Sequence, residues 1–300
     1  MKKELPVSKH QPGNVQTSVI PLTSNYKYQI YFSLKEVRIV QQQLKTSWDI
    51  AFECKGKRII LNSSKFMFAY RTSKSDFSEI TDTSGFANNK TYDSPTGNLD
   101  STAIGNWWET NNVYIIHKGY NENGTSLGYV KFKVLSYNNG TFTFSFSNIS
   151  DVSAPAYSIE VDTNYRFVGF SFDTKQKVYC EPPKNSWDLL FTSYTEKLSE
   201  PYLVVGCLTN TPMVNACLTK SMSFENINYD YAINQPLSQN ANIIGYNWKE
   251  YDFNSSAYII HPENVYIIKG IDNFYYKLRF IDFYSSSGEK GYPKFEFQKL

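Results

Sequence analysis

Few side chains in this chain could do chemistry. Its three histidines, His10, His117 and His261, lie far apart. So small a supply of imidazole removes most metalloenzymes, and it leaves a Ser-His-Asp triad hard to assemble. The four cysteines, Cys54, Cys180, Cys207 and Cys217, show no C-x-x-C spacing, so neither a zinc site nor a thioredoxin-like motif is indicated. Cys207 and Cys217 stand ten residues apart around Pro212. They read either as a loop-closing disulfide in an oxidising compartment or as buried free thiols acting as small hydrophobes. No glycine-rich phosphate loop occurs, and Gly124-Thr125-Ser126 lacks the pattern of a nucleophile elbow. Aspartates and glutamates are scattered without informative spacing. These residue types argue against an enzyme.

What the chain does repeat is aromatic. Ser47-Trp48-Asp49-Ile50-Ala51-Phe52 returns as Ser186-Trp187-Asp188-Leu189-Leu190-Phe191, 139 residues later. At the same offset Tyr26-Lys27-Tyr28 falls on Tyr165-Arg166-Phe167, and at 140 Ile104-Gly105 with Trp108 falls on Ile244-Gly245 with Trp248. Val113-Tyr114-Ile115-Ile116 matches Val265-Tyr266-Ile267-Ile268 at 152, and Tyr129-Val130-Lys131-Phe132 matches Tyr275-Tyr276-Lys277-Leu278 at 146. Landmarks kept in one order mark a duplication. Alternation predicts strands over 26–32, 36–40, 48–52, 58–62, 113–116, 128–137 and 141–146, with counterparts over 165–172, 187–194, 202–207, 265–269, 275–284 and 294–297. Asn138-Asn139-Gly140 signals a tight hairpin. Trp48, Ile50 and Phe52 should share a face as core anchors, and each motif aspartate should cap backbone amides of a neighbouring turn. The long middle, 63–106, should be ordered by itself only at 66–70.

At 300 residues and 41% hydrophobic content, a length of roughly 100–200 residues per domain favours two. Twenty-four Tyr and 21 Phe against four Met favour half-buried strands over helices. The expectation is an all-β protein of two tandem antiparallel β domains with long loops and a few short helical turns: a flexible tether over 1–25, domain one over 26–150, a linker over 151–164 and domain two over 165–300. A net charge of +2 with signs interspersed offers no basic stripe, so nucleic acid is not an expected partner. No apolar run of about 18 residues is present to span a bilayer.

The Trp-Asp-Ile-Ala-Phe strand, the variable middle, the Tyr-Ile-Ile strand, the Tyr-x-Lys-Phe/Leu strand and the Gly-bounded closing strand resemble the HmuY family of Bacteroidetes haem-binding surface lipoproteins, with the pattern present twice. The resemblance implies a non-enzymatic carrier of haem, tethered to the outer membrane by an N-terminal lipid anchor. Such a carrier would draw haem from host haem proteins and hand it to a TonB-dependent receptor. The polar start of the chain would then be the tether of a mature form. The resemblance further implies that iron ligands come from the long middle and from the residues just before the Tyr-Ile-Ile strand. In the second unit those positions hold Met213, Met222 and His261, with Met222 and His261 as the metal pair. The first unit has neither a histidine nor a loop methionine in its middle, Met67 lying in a strand-like run and His117 beyond the Tyr-Ile-Ile strand. The other reading, from a different class, is a pair of β scaffolds presenting polar loops, 73–106 above all, to a glycan or a partner protein.

Overall fold

A computed structural model describes residues 11–84, 89–197 and 199–300. Along the chain run β1 (Gln16–Val19), β2 (Tyr28–Ser33), β3 (Arg38–Leu44), β4 (Ile50–Glu53), β5 (Ile59–Leu61), β6 (Phe68–Arg71), β7 (Tyr114–His117), β8 (Tyr129–Asn138), β9 (Thr141–Asn148) and β10 (Ala156–Glu160). The second copy supplies β11 (Phe167–Ser171), β12 (Gln176–Val178), β13 (Leu189–Lys197), β14 (Pro201–Thr209), β15 (Asn215–Thr219), α1 (Tyr229–Ile233), β16 (Lys249–Asp252), β17 (Ala257–Ile260), β18 (Val265–Lys269), β19 (Tyr275–Tyr284) and β20 (Lys290–Lys299). The protein is all-β, as composition predicts. Among the described residues all the strand pairing is antiparallel, and the helical pieces are about single turns. Among the described residues no helix is long and apolar enough to cross a membrane.

The two copies exchange their opening strands. One half combines the sheets β10-β9-β8-β7-β6 and β12-β11-β4-β5; the other combines β1-β20-β19-β18-β15 and β14-β13-β2-β3, with β16–β17 as an added hairpin. Thus β2 of the first copy lies against β13 of the second, Phe32 opposite Leu189, while β11 of the second copy lies against β4 of the first, Phe170 opposite Ile50. β1 likewise closes the far sheet on β20 and β10 closes the near one on β9. These pairings cut across the boundary expected at 151–164. β4 through β12 form one half as a continuous stretch of chain, and the other half is assembled from both ends. The cores follow the sheets. One joins Ile50 and Phe52 to Phe170 and Phe172, the other joins Ile30 and Phe32 to Leu189 and Phe295. The tether expected over 1–25 is also revised: Gln16–Val19 is a paired strand and Ile20 and Leu22 are buried, while residues 1–10 lie outside the described residues.

Each aspartate of the repeated motif ties down the exchanged strand. The Asp188 carboxylate accepts the amides of Leu34 (2.8 Å) and Ile271 (2.9 Å), and Asp49 accepts that of Phe172 at 2.6 Å while pairing with the buried Lys65 ammonium. A second duplicated device orders the long middle. Lys131 Nζ donates to the carbonyls of Phe77 and Ile80, both at 2.8 Å, and Lys277 Nζ donates to those of Phe224 (2.5 Å) and Ile227 (2.9 Å). A buried ammonium satisfied by carbonyls thus pins a 3-10 turn to each sheet. The Asn139-Gly140 turn joins β8 to β9 as expected, both residues at positive φ. All four cysteines are free and buried.

Candidate functional site

Alternation along the exchanged strands decides what faces outward from each core. In β4, β5 and β11, Ile50, Phe52, Ile59, Val168 and Phe170 enter the core; Ala51, Ile60 and Phe167 therefore turn the other way. In β2 and β13, Ile30, Phe32, Leu189 and Phe191 are core, so Gln29, Tyr31, Leu190, Thr192 and Tyr194 turn outward. Residues from both outward faces line one cleft of about 900 Å³, a volume in the range of small-molecule and cofactor sites.

Trp48 and Trp187 stand at this cleft. Trp48 was expected to share the face of Ile50 and Phe52, but the strand begins only at Ile50, and the indole instead packs with Ala51, Phe167 and Cys180. Each indole reaches across to the other half. Trp48 Nε1 donates to Gln29 Oε1 at 2.8 Å. Trp187 packs edge-on against Tyr31, with ring centroids 4.8 Å apart, and lies under the Arg166 guanidinium, also at 4.8 Å. Gln29 and Phe167 hold matching places on the exchanged strands. The place whose amide accepts the Trp48 indole N–H is thus taken by a phenylalanine in the other copy, and Trp187 Nε1 has no acceptor among the described residues. The halves are tied further by Tyr31 Oη donating to the Cys180 carbonyl at 2.7 Å, and the Ala241 amide donates to the Thr96 carbonyl at 2.8 Å.

The charged groups of the lining are unevenly committed. Asp93 accepts the amides of Leu61 and Ala103, both at 2.7 Å; burial pushes its carboxyl up to about 6 against the pull of those bonds. Glu53 accepts the Arg58 amide at 3.0 Å, and Glu181 pairs with Arg166 at 2.8 Å while accepting the amides of Arg166 and Phe167. Lys55 and Lys184 have no carboxylate partner among the described residues, and Lys184 Nζ reaches only the Thr163 carbonyl. The Cys54 amide donates to the Arg166 carbonyl, and the Lys184 amide donates to that of Asn164. These backbone bonds bring the segments that carry Lys55, Arg166 and Lys184 together at one end of the cleft, beside Glu53 and Glu181.

The family model for the HmuY protein matches residues 25–297. The chain belongs to the HmuY family. No curated protein matches it. Among crystal structures it is similar to apo PinO from Porphyromonas gingivitis, at 9% identity and TM-score 0.39, covering 97% of this chain and 98% of that one. It is also similar to the apo HmuY analogue of Tannerella forsythia, at 9% identity and TM-score 0.29, covering 97% of each chain. A putative HmuY-like heme binding protein from Bacteroides vulgatus follows, at 14% identity and TM-score 0.23, covering 56% of this chain and 90% of that one.

In this HmuY-family protein the three residues expected as ligands are not gathered. Met213 lines the cleft. Met222 packs beside Cys217, Phe224 and Ile227 in a satellite core. His261 follows β17 at the surface, its ring between Glu250 (3.7 Å) and Glu263 (3.3 Å). Neither Met222 nor His261 is among the cleft residues, so the His261–Met222 metal pair is set aside, because the segments carrying them pack on other faces of the second half. His117 is a packing residue: it stacks on Phe68 at 4.6 Å, its Nδ1 accepts the Gly119 amide, and burial lowers it to about 4. Among the described residues no cluster of three or more His, Cys, Asp or Glu could hold an ion. Sequence reasoning missed Trp48 and Trp187 as cleft walls and Lys55, Arg166 and Lys184 as its basic end. The available signal was the Ser-Trp-Asp duplication itself.

Proposed function

We propose that this protein binds haem without catalysis, in the cleft between its halves. The observation that carries the reading is an apolar cleft with cations that have no carboxylate partner among the described residues, in a chain of the HmuY family. Ile60, Leu99, Tyr165, Leu190 and Leu208 offer half-buried apolar surface to a macrocycle above the buried Trp48, Phe167 and Trp187, Lys55 and Lys184 offer counter-charges to propionates, and Met213 offers one thioether. Bound haem would supply an iron that takes soft or imidazole donors. The role of the protein is to shield the ring from water and to hold its carboxylates. As a carrier it would be displayed on the outer membrane as a lipoprotein and pass haem to a TonB-dependent receptor. Titration with haemin tests the reading: tryptophan emission should fall as the cleft fills, with a saturable shift of the Soret band. No quenching and no shift at micromolar haemin would refute it.

A second reading rests on the hydroxyl and amide groups of Ser94, Thr96, Asn98 and Asn240 in the same lining. It is a glycan held in the cleft by these groups. Quenching by an oligosaccharide but not by haemin would favour it.

A further inference from the structure

Resting on the haem reading, we infer that the cleft recognises the planar face and carboxylate edge of its ligand rather than a metal, so that a metal-free dicarboxylic tetrapyrrole is held as well as haem. The inference comes from what the lining can still give. Groups able to reach iron there are Met213, Cys180 and the phenols of Tyr31, Tyr165 and Tyr194. Cys180 Sγ is buried against the Phe167 carbonyl at 4.0 Å, and Tyr31 Oη is committed to the Cys180 carbonyl. Burial holds both groups protonated, far above their ordinary range. Tyr194 Oη donates to Glu196 at 3.3 Å, and Tyr165 packs its ring on Tyr179 at 4.7 Å. Both described histidines lie on other elements. One thioether is left, a weak donor by itself.

The opposite balance holds for the rest of the ligand. Lys55 is exposed at the basic end and Lys184 is half-buried, and neither has a carboxylate to neutralise it. The carboxylates of the lining are already held by backbone amides or by Arg166. Two cations on the side of the slot that also carries Arg166 suit a ligand with two carboxylates on one edge. The half-buried Tyr165, Ile60, Leu99, Leu190 and Leu208 of the lining suit a flat apolar body, over the buried indoles of Trp48 and Trp187. None of these contacts needs a metal.

The test uses the full chain with three probes, haemin, protoporphyrin IX and protoporphyrin IX dimethyl ester, followed by tryptophan quenching and, for the metal-free probes, by porphyrin emission anisotropy. Haemin and protoporphyrin IX should bind within about threefold of each other, and the ester should bind weaker by on the order of tenfold for the lost ion pairs. The double variant Lys55→Glu and Lys184→Glu should lower binding of both free acids by at least that factor and leave the ester unchanged, and Lys55→Glu alone, at the exposed position, should shift binding in the same direction without touching the Lys184 bond to the Thr163 carbonyl. Haemin binding with a Soret shift, alongside protoporphyrin IX weaker by about a hundredfold, would overturn the inference and leave the haem reading standing. Equal binding of free acids and ester, or no effect of the double variant, would overturn the carboxylate assignment. No binding of any probe would refute the haem reading itself.

Discussion

If the sheets rather than the repeats define the folding units, cutting the chain at the repeat boundary should destroy a core that cutting at the sheet boundary preserves. The fragment 26–150 holds β4 through β9 but lacks β10, β11 and β12. It therefore loses Ile159, Phe167, Val168, Phe170 and Phe172, all buried in the intact protein. At about 1.5–3 kcal/mol for each fully buried apolar side chain, the five contribute roughly 8–15 kcal/mol. That is as large as the whole stability of a typical domain, about 5–15 kcal/mol. The fragment would also carry β2 and β3 with no β13 to pair with. The fragment 45–184 keeps every residue of the first core and closes its Asp49 bond to the Phe172 amide. Expressed separately, 45–184 should melt cooperatively with strand-type circular dichroism, and 26–150 should show no transition. Cooperative unfolding of 26–150, with 45–184 unfolded, would refute the assignment.

Three further outcomes follow from buried groups. Lys249 is sealed under Trp248, its Nζ donating to the Val205 carbonyl, and desolvation lowers it from 10.5 to about 7. Its neutral form is the one favoured by folding, so its contribution is full above pH 10.5 and is lost as pH falls through 7. Stability from urea unfolding should therefore drop by up to about 1.4 kcal/mol per pH unit across that window, and Lys249→Met should flatten the drop. Asp188→Ala leaves the Leu34 and Ile271 amides without an acceptor and should cost roughly 2–4 kcal/mol in the same assay; a change under about 0.5 kcal/mol, the range of surface substitutions, would contradict the role of Asp188 as the tie on β2. Burial raises the four thiols, Cys54 to about 11. A thiol reagent at mildly alkaline pH should thus label none of them in the native protein and all four after denaturation; rapid labelling of the native chain would contradict their burial.

The sequence by itself determined the parts. Period-two alternation and aromatic content made the elements strands, since a pleated strand with one buried face requires that pattern whatever its neighbours are. Asn139-Gly140 determined a turn because two successive residues with positive φ close a two-residue hairpin. The repeated Trp-Asp unit marked the duplication and an amide-capping aspartate. Tertiary structure decided the partners. Alternation says which face of a strand is buried but not which strand lies beside it, and two copies with matching patterns offer each strand two acceptable neighbours. Phe32 could complete the sheet of either copy; it pairs with Leu189. Even the register was beyond local reading: Phe32 and Phe170 correspond at 138 residues, not the 139 of the aromatic match, and a slip of one residue turns every side chain to the opposite face. Trp48 left the core face because the chain bends between it and Ile50. The cleft was invisible for the same reason. It exists only where the outward faces of two sheets meet, and its walls come from residues more than a hundred positions apart, brought together by the exchange of strands.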